Sequence, residues 1–262
     1  MILSVRTGCK FFSIILLFIT GLLIAALAFP VLSFCLTPAG AKLKRDALKQ
    51  AWLKWFGSIV ALEIVKDGEA HAAPLLLVSN HISWLDIIVL GRFLPANFVA
   101  KSDILQWPII GYLAERAGTV FVRRGDKQQV QKTAEQMVWL LKQDSAVIAF
   151  PEGTTTSGDT VLPFHASLFQ PGLLTRSAIQ PVVLKYLGKA AEQAPFIGED
   201  AFLPHLLRIL SLDKIQVQVV FLPEINTSGK SRHSICHEAR AAILEKIGEH
   251  QNPMASAFKH GR

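Results

Sequence analysis

The sequence is poor in charged residues, in cysteine and in long apolar runs. Charged residues make up 18% of the 262 residues and hydrophobic residues 51%, a balance that excludes an intrinsically disordered chain. Only Phe11–Leu36 is uncharged over a length that suits a membrane span, so a polytopic transporter is excluded. The three cysteines show no paired spacing, which excludes a disulfide framework and favours a reducing compartment.

Basic charge is also scarce in most of the chain. The formal net charge is +7, but residues 1–54 account for +6 of it and the remaining residues for only +1. A nucleic-acid-binding domain needs a basic stripe on its folded surface, so we expect no nucleic-acid partner. Basic residues beside an apolar stretch suit an anionic membrane surface instead.

The apolar stretch Phe11–Leu36 is predicted to anchor the chain in a membrane. It would be ~39 Å long as a helix, although Gly21 and Pro30 are possible kink sites, so a spanning helix and a re-entrant hairpin both remain open. A cleaved signal peptide is the rival interpretation, but the run is roughly twice the usual length. Positive residues after the stretch place the body on the cytoplasmic side of the inner membrane.

Residues 42–56 combine apolar and basic positions at helical spacing. Such a helix either lies in the lipid headgroup layer or packs its apolar face on the domain. We therefore divide the chain into a membrane anchor with a basic amphipathic helix, residues 1–58, and a single domain, residues 59–262.

Short β-rich runs alternate with helical patterns through the second segment. Strands are predicted over 62–65, 75–78, 98–100, 119–122, 146–150, 179–184 and 215–221, and the clearest helices over 127–143 and 231–249. This alternation predicts an α/β fold with a mixed, largely parallel sheet flanked by helices, preceded by an N-terminal membrane helix and an amphipathic interfacial helix.

The first candidate site follows the apolar run that ends at Val78. His81 and Asp86 are five residues apart, or about 140° around a regular helix, so they would not share a helical face. They meet only if His81 lies in a strand-to-helix turn and Asp86 in the first helical turn. The carboxylate would then fix the imidazole tautomer and stabilise the imidazolium. Taken alone, the pattern also fits an ordinary turn histidine beside a helix N-terminus.

Two further motifs follow predicted strands. One contains Glu152, Gly153 and three threonines and could bring backbone N–H groups close to an anion. The other ends in Arg123 and Arg124, and an arginine fork suits bidentate phosphate binding. Taken alone, each also fits an ordinary strand end.

The order of these motifs resembles that of the glycerolipid acyltransferases, and most closely the bacterial 1-acylglycerol-3-phosphate acyltransferases. The motifs are Asn-His-x4-Asp, Gly-x-x-Phe-x-x-Arg, Phe-Pro-Glu-Gly-Thr and a Pro-Val-Val strand, between Leu75 and Tyr186. The resemblance implies that His81 and Asp86 are catalytic. It also implies that the acceptor is bound by Lys101, Arg124, Glu152, Gly153 and Thr154.

The resemblance further implies a 1-acylglycerol-3-phosphate O-acyltransferase of phospholipid biosynthesis. Such an enzyme moves a fatty acyl group from acyl carrier protein or coenzyme A to the sn-2 hydroxyl of lysophosphatidic acid, giving phosphatidic acid, with His81 as general base. The expected partners are a lysophospholipid acceptor, a thioester donor and membrane lipid. No metal or other cofactor is expected.

The sequence departs from the family pattern at two places. Thr155 stands where an arginine is common, and Pro163-Phe164-His165-Ala166-Ser167 stands where Pro-Phe-Lys-x-Gly is usual. The Gly-Thr-Thr variant resembles a branch in which some members acylate other lysolipids, including lyso-ornithine lipid. That acceptor, or a noncatalytic lipid-binding role, is the alternative.

Overall fold

The computed structural model describes residues 5–123 and 127–251. Seven strands in these residues form one largely parallel sheet, and the candidate site lies on this sheet. Arg124 lies outside the described residues. The strands are β1 Leu62–Asp67, β2 Leu75–Ser79, β3 Ala96–Lys101, β4 Val120–Val122, β5 Ala146–Ala149, β6 Ala178–Leu187 and β7 Ile215–Phe221. The helices are α1 Val5–Leu23, α2 Phe29–Cys35, α3 Pro38–Ile59, α4 Leu85–Leu90, α5 Ile110–Arg116, α6 Lys127–Lys142, α7 Gln170–Thr175, α8 Lys189–Gln193, α9 Phe202–Ser211 and α10 Arg232–Gln251.

The strand order is β1-β7-β6-β2-β5-β3-β4, and only the β6–β7 pair is antiparallel. Strand β2 is buried along its whole length. Its Leu75 and Leu77 belong to one helix-covered core, whereas Leu76 and Val78 belong to the core on the opposite face. A parallel strand covered on both faces reads as a continuous apolar run. The predicted α/β fold is therefore confirmed.

The carboxyl ends of β2, β5, β3 and β4 lie at one edge of the sheet, because these strands are mutually parallel. The three sequence motifs follow β2, β4 and β5, so the fold gathers them at this edge. Open α/β sheets commonly place their ligand sites there.

The N-terminal apolar segment is one helix, Val5–Cys35, in which a π-helical segment, Ile24–Ala28, joins α1 to α2. Pro30 lies in the first turn after that segment. Gly21 lets α3 approach closely, because a Cβ at this position would lie only 2.8 Å from Nε1 of Trp52. The two possible kink sites are thus accommodated within a continuous helix.

The start of this helix is fastened to the domain by two cations. Arg6 donates a hydrogen bond to the Ser211 carbonyl oxygen and forms an ion pair with Asp213. Lys10 Nζ donates to the Leu212 carbonyl oxygen at 2.8 Å. Because α3 also packs against the domain, the helix lies along the domain rather than projecting from it.

The opposite face of the helix is apolar and exposed. The helix is long and apolar enough to cross a membrane by length and composition. Its large exposed side chains are Val5, Phe12, Ile15, Leu16, Ile19, Leu23, Leu27, Val31 and Phe34. On α3, Leu43 and Trp55 are also exposed, whereas Phe56 is buried in the core. The amphipathic helix therefore meets the domain on one face and presents apolar side chains on another.

Candidate active site

The structure brings His81 and Asp86 together at the end of β2. Strand β2 ends at Ser79 and α4 begins at Leu85, which puts His81 in the connecting turn and Asp86 in the first helical turn. His81 Nδ1 lies 2.8 Å from Asp86 Oδ2. Because an ionised carboxylate only accepts hydrogen bonds, Nδ1 carries the proton and Nε2 is the free base.

Asp86 is held by donors around both carboxylate oxygens. Its Oδ2 also accepts from the backbone N–H groups of Ile82 at 2.7 Å and Ser83 at 3.0 Å. Its Oδ1 accepts from the Tyr186 hydroxyl at 2.8 Å. The Asp86 side chain is fully buried, whereas 18% of the His81 side chain is exposed to solvent. The anion is thus fixed inside the protein while the imidazole stays accessible.

Tyr186 is a site residue that the sequence analysis did not identify. It lies near the end of β6, one hundred residues beyond Asp86, and β6 runs parallel to β2. Burial raises the pKa of the Tyr186 hydroxyl well above its ordinary value, and the nearby Asp86 charge adds to the shift. Tyr186 therefore remains a proton donor to Asp86.

Glu152 holds the backbone of the turn that contains His81. Its Oε1 accepts from the His81 N–H and its Oε2 from the Leu162 N–H, both at 2.8 Å. The carbonyl oxygen of His81 accepts from the Thr156 N–H at 2.9 Å. These contacts give Glu152 a positioning role, because backbone donors take both of its oxygens. Its contact with an acceptor stays a prediction.

The His81 ring is supported by an aromatic neighbour. It stacks on the Phe150 ring with centroids 4.0 Å apart and an interplanar angle of 15°. Phe150 directly follows β5, which pairs with β2. The stack and the Asp86 hydrogen bond together restrict both the plane and the direction of the imidazole.

The loop after β5 contains the remaining predicted residues of the Glu-Gly-Thr motif. Gly153 has a φ of +69°, a conformation that favours glycine, and its N–H donates to the Phe150 carbonyl oxygen at 3.0 Å. Thr154 is exposed. The Thr155 hydroxyl donates to the carbonyl oxygen of Phe196, so it fastens the loop to the segment that follows α8.

Lys101 lies in a cleft on the other side of β5. The cleft has a volume of about 250 Å³ and is lined by Lys101, Ser102, Asp103, Val122 and Arg123. One strand, β5, lies between β2 and β3, so Lys101 on β3 is two strand spacings, or about 10 Å, from β2. The cleft thus presents two cations and one carboxylate within reach of a ligand at His81.

Ser83 is not an alternative nucleophile in this arrangement. Its side chain is completely buried, and its backbone N–H donates a hydrogen bond to Asp86 Oδ2. A substrate carbonyl cannot approach a hydroxyl that is enclosed in this way. The geometry therefore favours a base–carboxylate pair over a serine hydrolase triad.

The ionisation of Glu152 gives a pH-dependent prediction. Burial raises its pKa above the ordinary 4.5, although the N–H groups of Leu162 and His81 partly oppose the shift. A carboxyl with a raised pKa in the folded state contributes stability that is complete below its unfolded pKa and is lost as the pH rises through the folded value. Relative to Glu152→Gln, the wild type should therefore lose free energy of unfolding as the pH rises above about 4.5.

Urea unfolding of both proteins in detergent, followed across this pH range, measures the difference. The Gln variant is the neutral reference because its side chain has nearly the same size and does not titrate. A difference that stays constant with pH, or that grows in favour of the wild type, would show that burial does not dominate at this carboxyl.

Known proteins share both the sequence pattern and the fold. The family model described as Acyltransferase matches residues 62–185. A lyso-ornithine lipid O-acyltransferase from Pseudomonas aeruginosa is 38% identical over 204 residues, covering 76% of this chain and 78% of that protein. A 1-acyl-sn-glycerol-3-phosphate acyltransferase from Neisseria gonorrhoeae is 31% identical over 192 residues and 72% of each chain.

A solved structure extends the likeness over nearly the whole chain. The 1-acyl-sn-glycerophosphate acyltransferase from Thermotoga maritima has a TM-score of 0.64 and 17% identity, and the match covers 93% of this chain and 98% of that one. At this identity the match concerns the fold alone. The family resemblance noted in the sequence is confirmed by the closer relatives, and the chain belongs to the acyltransferase family.

Proposed function

We propose that this protein is a membrane-bound O-acyltransferase that moves a fatty acyl group from a thioester donor to a lysolipid hydroxyl, with lyso-ornithine lipid as its preferred acceptor. The main observation in support of this reaction is the 2.8 Å contact between His81 Nδ1 and Asp86 Oδ2. This contact leaves Nε2 as the basic atom of an accessible ring.

His81 acts as general base in this proposal. Its Nε2 takes the proton of the acceptor hydroxyl while the oxygen attacks the thioester carbonyl carbon, a role that usually contributes about 10²–10⁴ in rate. Asp86 stabilises the imidazolium that forms. The new C–O bond replaces the C–S bond, and the departing thiolate takes the proton from His81. A thiol with a free pKa of about 8.5 leaves readily, so the reaction needs no metal.

The cleft lined by Lys101, Ser102, Asp103, Val122 and Arg123, which we call the Lys101–Arg123 cleft, has charges that favour a zwitterionic headgroup as its ligand. Lyso-ornithine lipid carries a free carboxylate and a free ammonium, which complement the two cations and Asp103. A phosphate dianion would meet the Asp103 carboxylate as a like charge. Thr155, at a position where the family commonly has arginine, donates its hydroxyl to Phe196 and adds no cation.

The relatives support the same acceptor. Besides the Pseudomonas aeruginosa protein, a relative with 37% identity over 200 residues, from Brucella abortus, is also named lyso-ornithine lipid O-acyltransferase. The lysophosphatidic acid acceptor that the family resemblance implied is the second candidate, favoured by the Neisseria gonorrhoeae protein. The donor is the thioester of acyl carrier protein or coenzyme A, and no other cofactor is proposed.

Product masses test the acceptor. Purified protein in vesicles is given acyl carrier protein or coenzyme A thioesters together with lyso-ornithine lipid, lysophosphatidic acid or lysophosphatidylethanolamine in separate reactions. We expect diacyl ornithine lipid to form fastest. Phosphatidic acid as the sole product would establish the second candidate, whereas no acyl transfer to any lysolipid would refute the proposed function.

We also propose that the exposed apolar face of Val5–Cys35 lies in the inner membrane with the domain on the cytoplasmic side. Each large apolar side chain buried in lipid contributes roughly 1.5–3 kcal/mol. The double variant Phe12→Glu/Ile19→Glu should therefore float poorly with vesicles in a density gradient. Both residues are exposed, so the domain should still fold.

The matched control is Phe12→Leu/Ile19→Leu, which keeps both positions apolar and should float as the wild type does. Equal flotation of the Glu variant and the Leu variant would show that this face does not contact lipid.

A further inference from the structure

A second and larger cleft lies on the opposite side of the catalytic histidine. It has a volume of about 640 Å³, within the usual range of small-ligand sites. Strand β6 and helices α8 and α9 contribute to its walls, and we call it the β6–α9 cleft. In the sheet, β6 lies on one side of β2, and β5, β3 and β4 lie on the other. His81 at the end of β2 therefore stands between this cleft and the Lys101–Arg123 cleft.

The wall of the β6–α9 cleft includes two residues that touch the catalytic pair. Tyr186 lines the cleft, and its hydroxyl donates to Asp86. Ile82 also lines it, directly follows His81, and donates its N–H to Asp86. A ligand in the β6–α9 cleft thus lies next to the reaction centre without passing through the Lys101–Arg123 cleft.

The lining of the cleft is mixed in character. Pro195 and Ile197 provide apolar surface, and Gln193 is a polar residue of the lining. Five charged residues also line the cleft, namely Asp159, Lys185, Glu192, Asp200 and Arg208. Arg208 and Asp200 form a bidentate pair at 3.1 and 2.9 Å, so the charges of these two largely cancel. This combination suits a flexible arm that alternates amide groups with methyl and methylene groups.

The position of the cleft suits a water-soluble substrate. In the described part of the chain, its lining comes from β6, α8, α9, α10 and nearby loops, and no lining residue belongs to α1, α2 or α3. The helices with the exposed apolar face therefore do not border it. The Lys101–Arg123 cleft adjoins a segment in which Leu105 and Ile109 are exposed, as a lipid acceptor would require, while the β6–α9 cleft has the exposed Ile197 in its own lining.

We propose that the β6–α9 cleft receives the phosphopantetheine arm of the thioester donor, the group shared by coenzyme A and acyl carrier protein. The arm brings the thioester to His81 through the β6–α9 cleft, while the lysolipid hydroxyl reaches His81 from the Lys101–Arg123 cleft. This assignment rests on the proposed acyltransferase function.

Ala191→Trp tests the proposal, because Ala191 lines the cleft yet is exposed on α8, so a larger side chain fills the cleft without entering the core. The matched control is Lys189→Trp, at an exposed position on the same helix that does not line the cleft. Each variant is assayed with the acyl thioesters of coenzyme A, acyl carrier protein and N-acetylcysteamine, the last of which carries only a stub of the arm.

We expect Ala191→Trp to raise the KM for both full-length donors about tenfold or more. The KM for the lysolipid, and the rate with the N-acetylcysteamine thioester, should stay near the wild-type values. Free coenzyme A should inhibit the wild type competitively against the donor and inhibit Ala191→Trp much more weakly. Lys189→Trp should behave as the wild type does throughout.

Unchanged donor KM values in Ala191→Trp, or a rise confined to the lysolipid KM, would overturn the assignment. Turnover of the wild type with only one full-length donor would identify the source of the arm and leave the site in place. A wild type that transfers no acyl group from any donor would instead refute the proposed function.

Discussion

Replacing His81 with alanine is expected to lower kcat/KM for acyl transfer by about 10²–10⁴, the contribution of a positioned general base. The imidazole is the accessible member of the pair, with 18% of its side chain exposed, whereas Asp86 is completely buried. Without the ring, Asp86 cannot reach an acceptor hydroxyl. Initial rates of diacyl lipid formation at several acceptor concentrations measure the loss.

A matched control separates this effect from damage to the fold. His233 is exposed at the start of α10, so His233→Ala should retain wild-type kcat/KM. The His81→Ala protein should keep its cooperative thermal transition, because the backbone at His81 is held by Glu152 and Thr156 and not by the ring. Near-normal acyl transfer by folded His81→Ala would remove His81 from the mechanism.

The second large effect is expected for Asp86→Asn, a nearly isosteric change. The Oδ2 position receives three N–H groups, from the His81 ring, Ile82 and Ser83, so the amide oxygen must occupy it and the NH₂ group must face Tyr186. The ring contact survives, but the negative charge that stabilises the imidazolium is lost. We expect a large fall in kcat that stays below the roughly 10⁴-fold loss of Ser-His-Asp triads in which the same change also leaves the wrong histidine tautomer.

Tyr186→Phe is the comparison for this variant. It removes one hydrogen bond to the carboxylate, worth about 1.5–3 kcal/mol of stability, and leaves the charge and the His81 contact in place. Its kcat should therefore fall far less than that of Asp86→Asn. Equal losses in the two variants would mean that the Tyr186 hydrogen bond matters as much as the negative charge of Asp86.

Much of this site was predictable from local sequence. The apolar run 75–78 predicted the central strand, and the five-residue spacing allowed His81 and Asp86 to meet only across a strand-to-helix turn, as they do. Both inferences depend on chain geometry over fewer than a dozen residues.

The contacts that complete the site could not be predicted in this way. Tyr186 reaches Asp86 because β6 pairs with β2, and Glu152 reaches the His81 backbone because β5 pairs with β2 on its other side. The Glu-Gly-Thr motif marked Glu152 as a site residue, but no local pattern indicated its contact with the His81 backbone or the contact of Tyr186 with Asp86. The sequence carried one usable signal, namely that Tyr186 ends the Pro-Val-Val strand within the apolar surroundings of β6.

The N-terminal helix shows the same limit. Composition predicted a membrane segment and left its path open, because hydropathy does not distinguish a lipid-facing side chain from one that packs on protein. In the structure, Leu17 is buried and its carbonyl oxygen accepts from Trp52 Nε1 at 2.9 Å, whereas Ile19 is exposed. The pairing of α1 with α3 decides which face is covered.

The most direct test measures kcat/KM of the double variant His81→Ala/Asp86→Asn beside the two single variants. Groups that act as one unit lose their effect together. If Asp86 works only by orienting and charging the imidazole, the double variant should be as slow as His81→Ala alone. A double variant whose loss equals the product of the two single losses would show two independent contributions and contradict the paired mechanism.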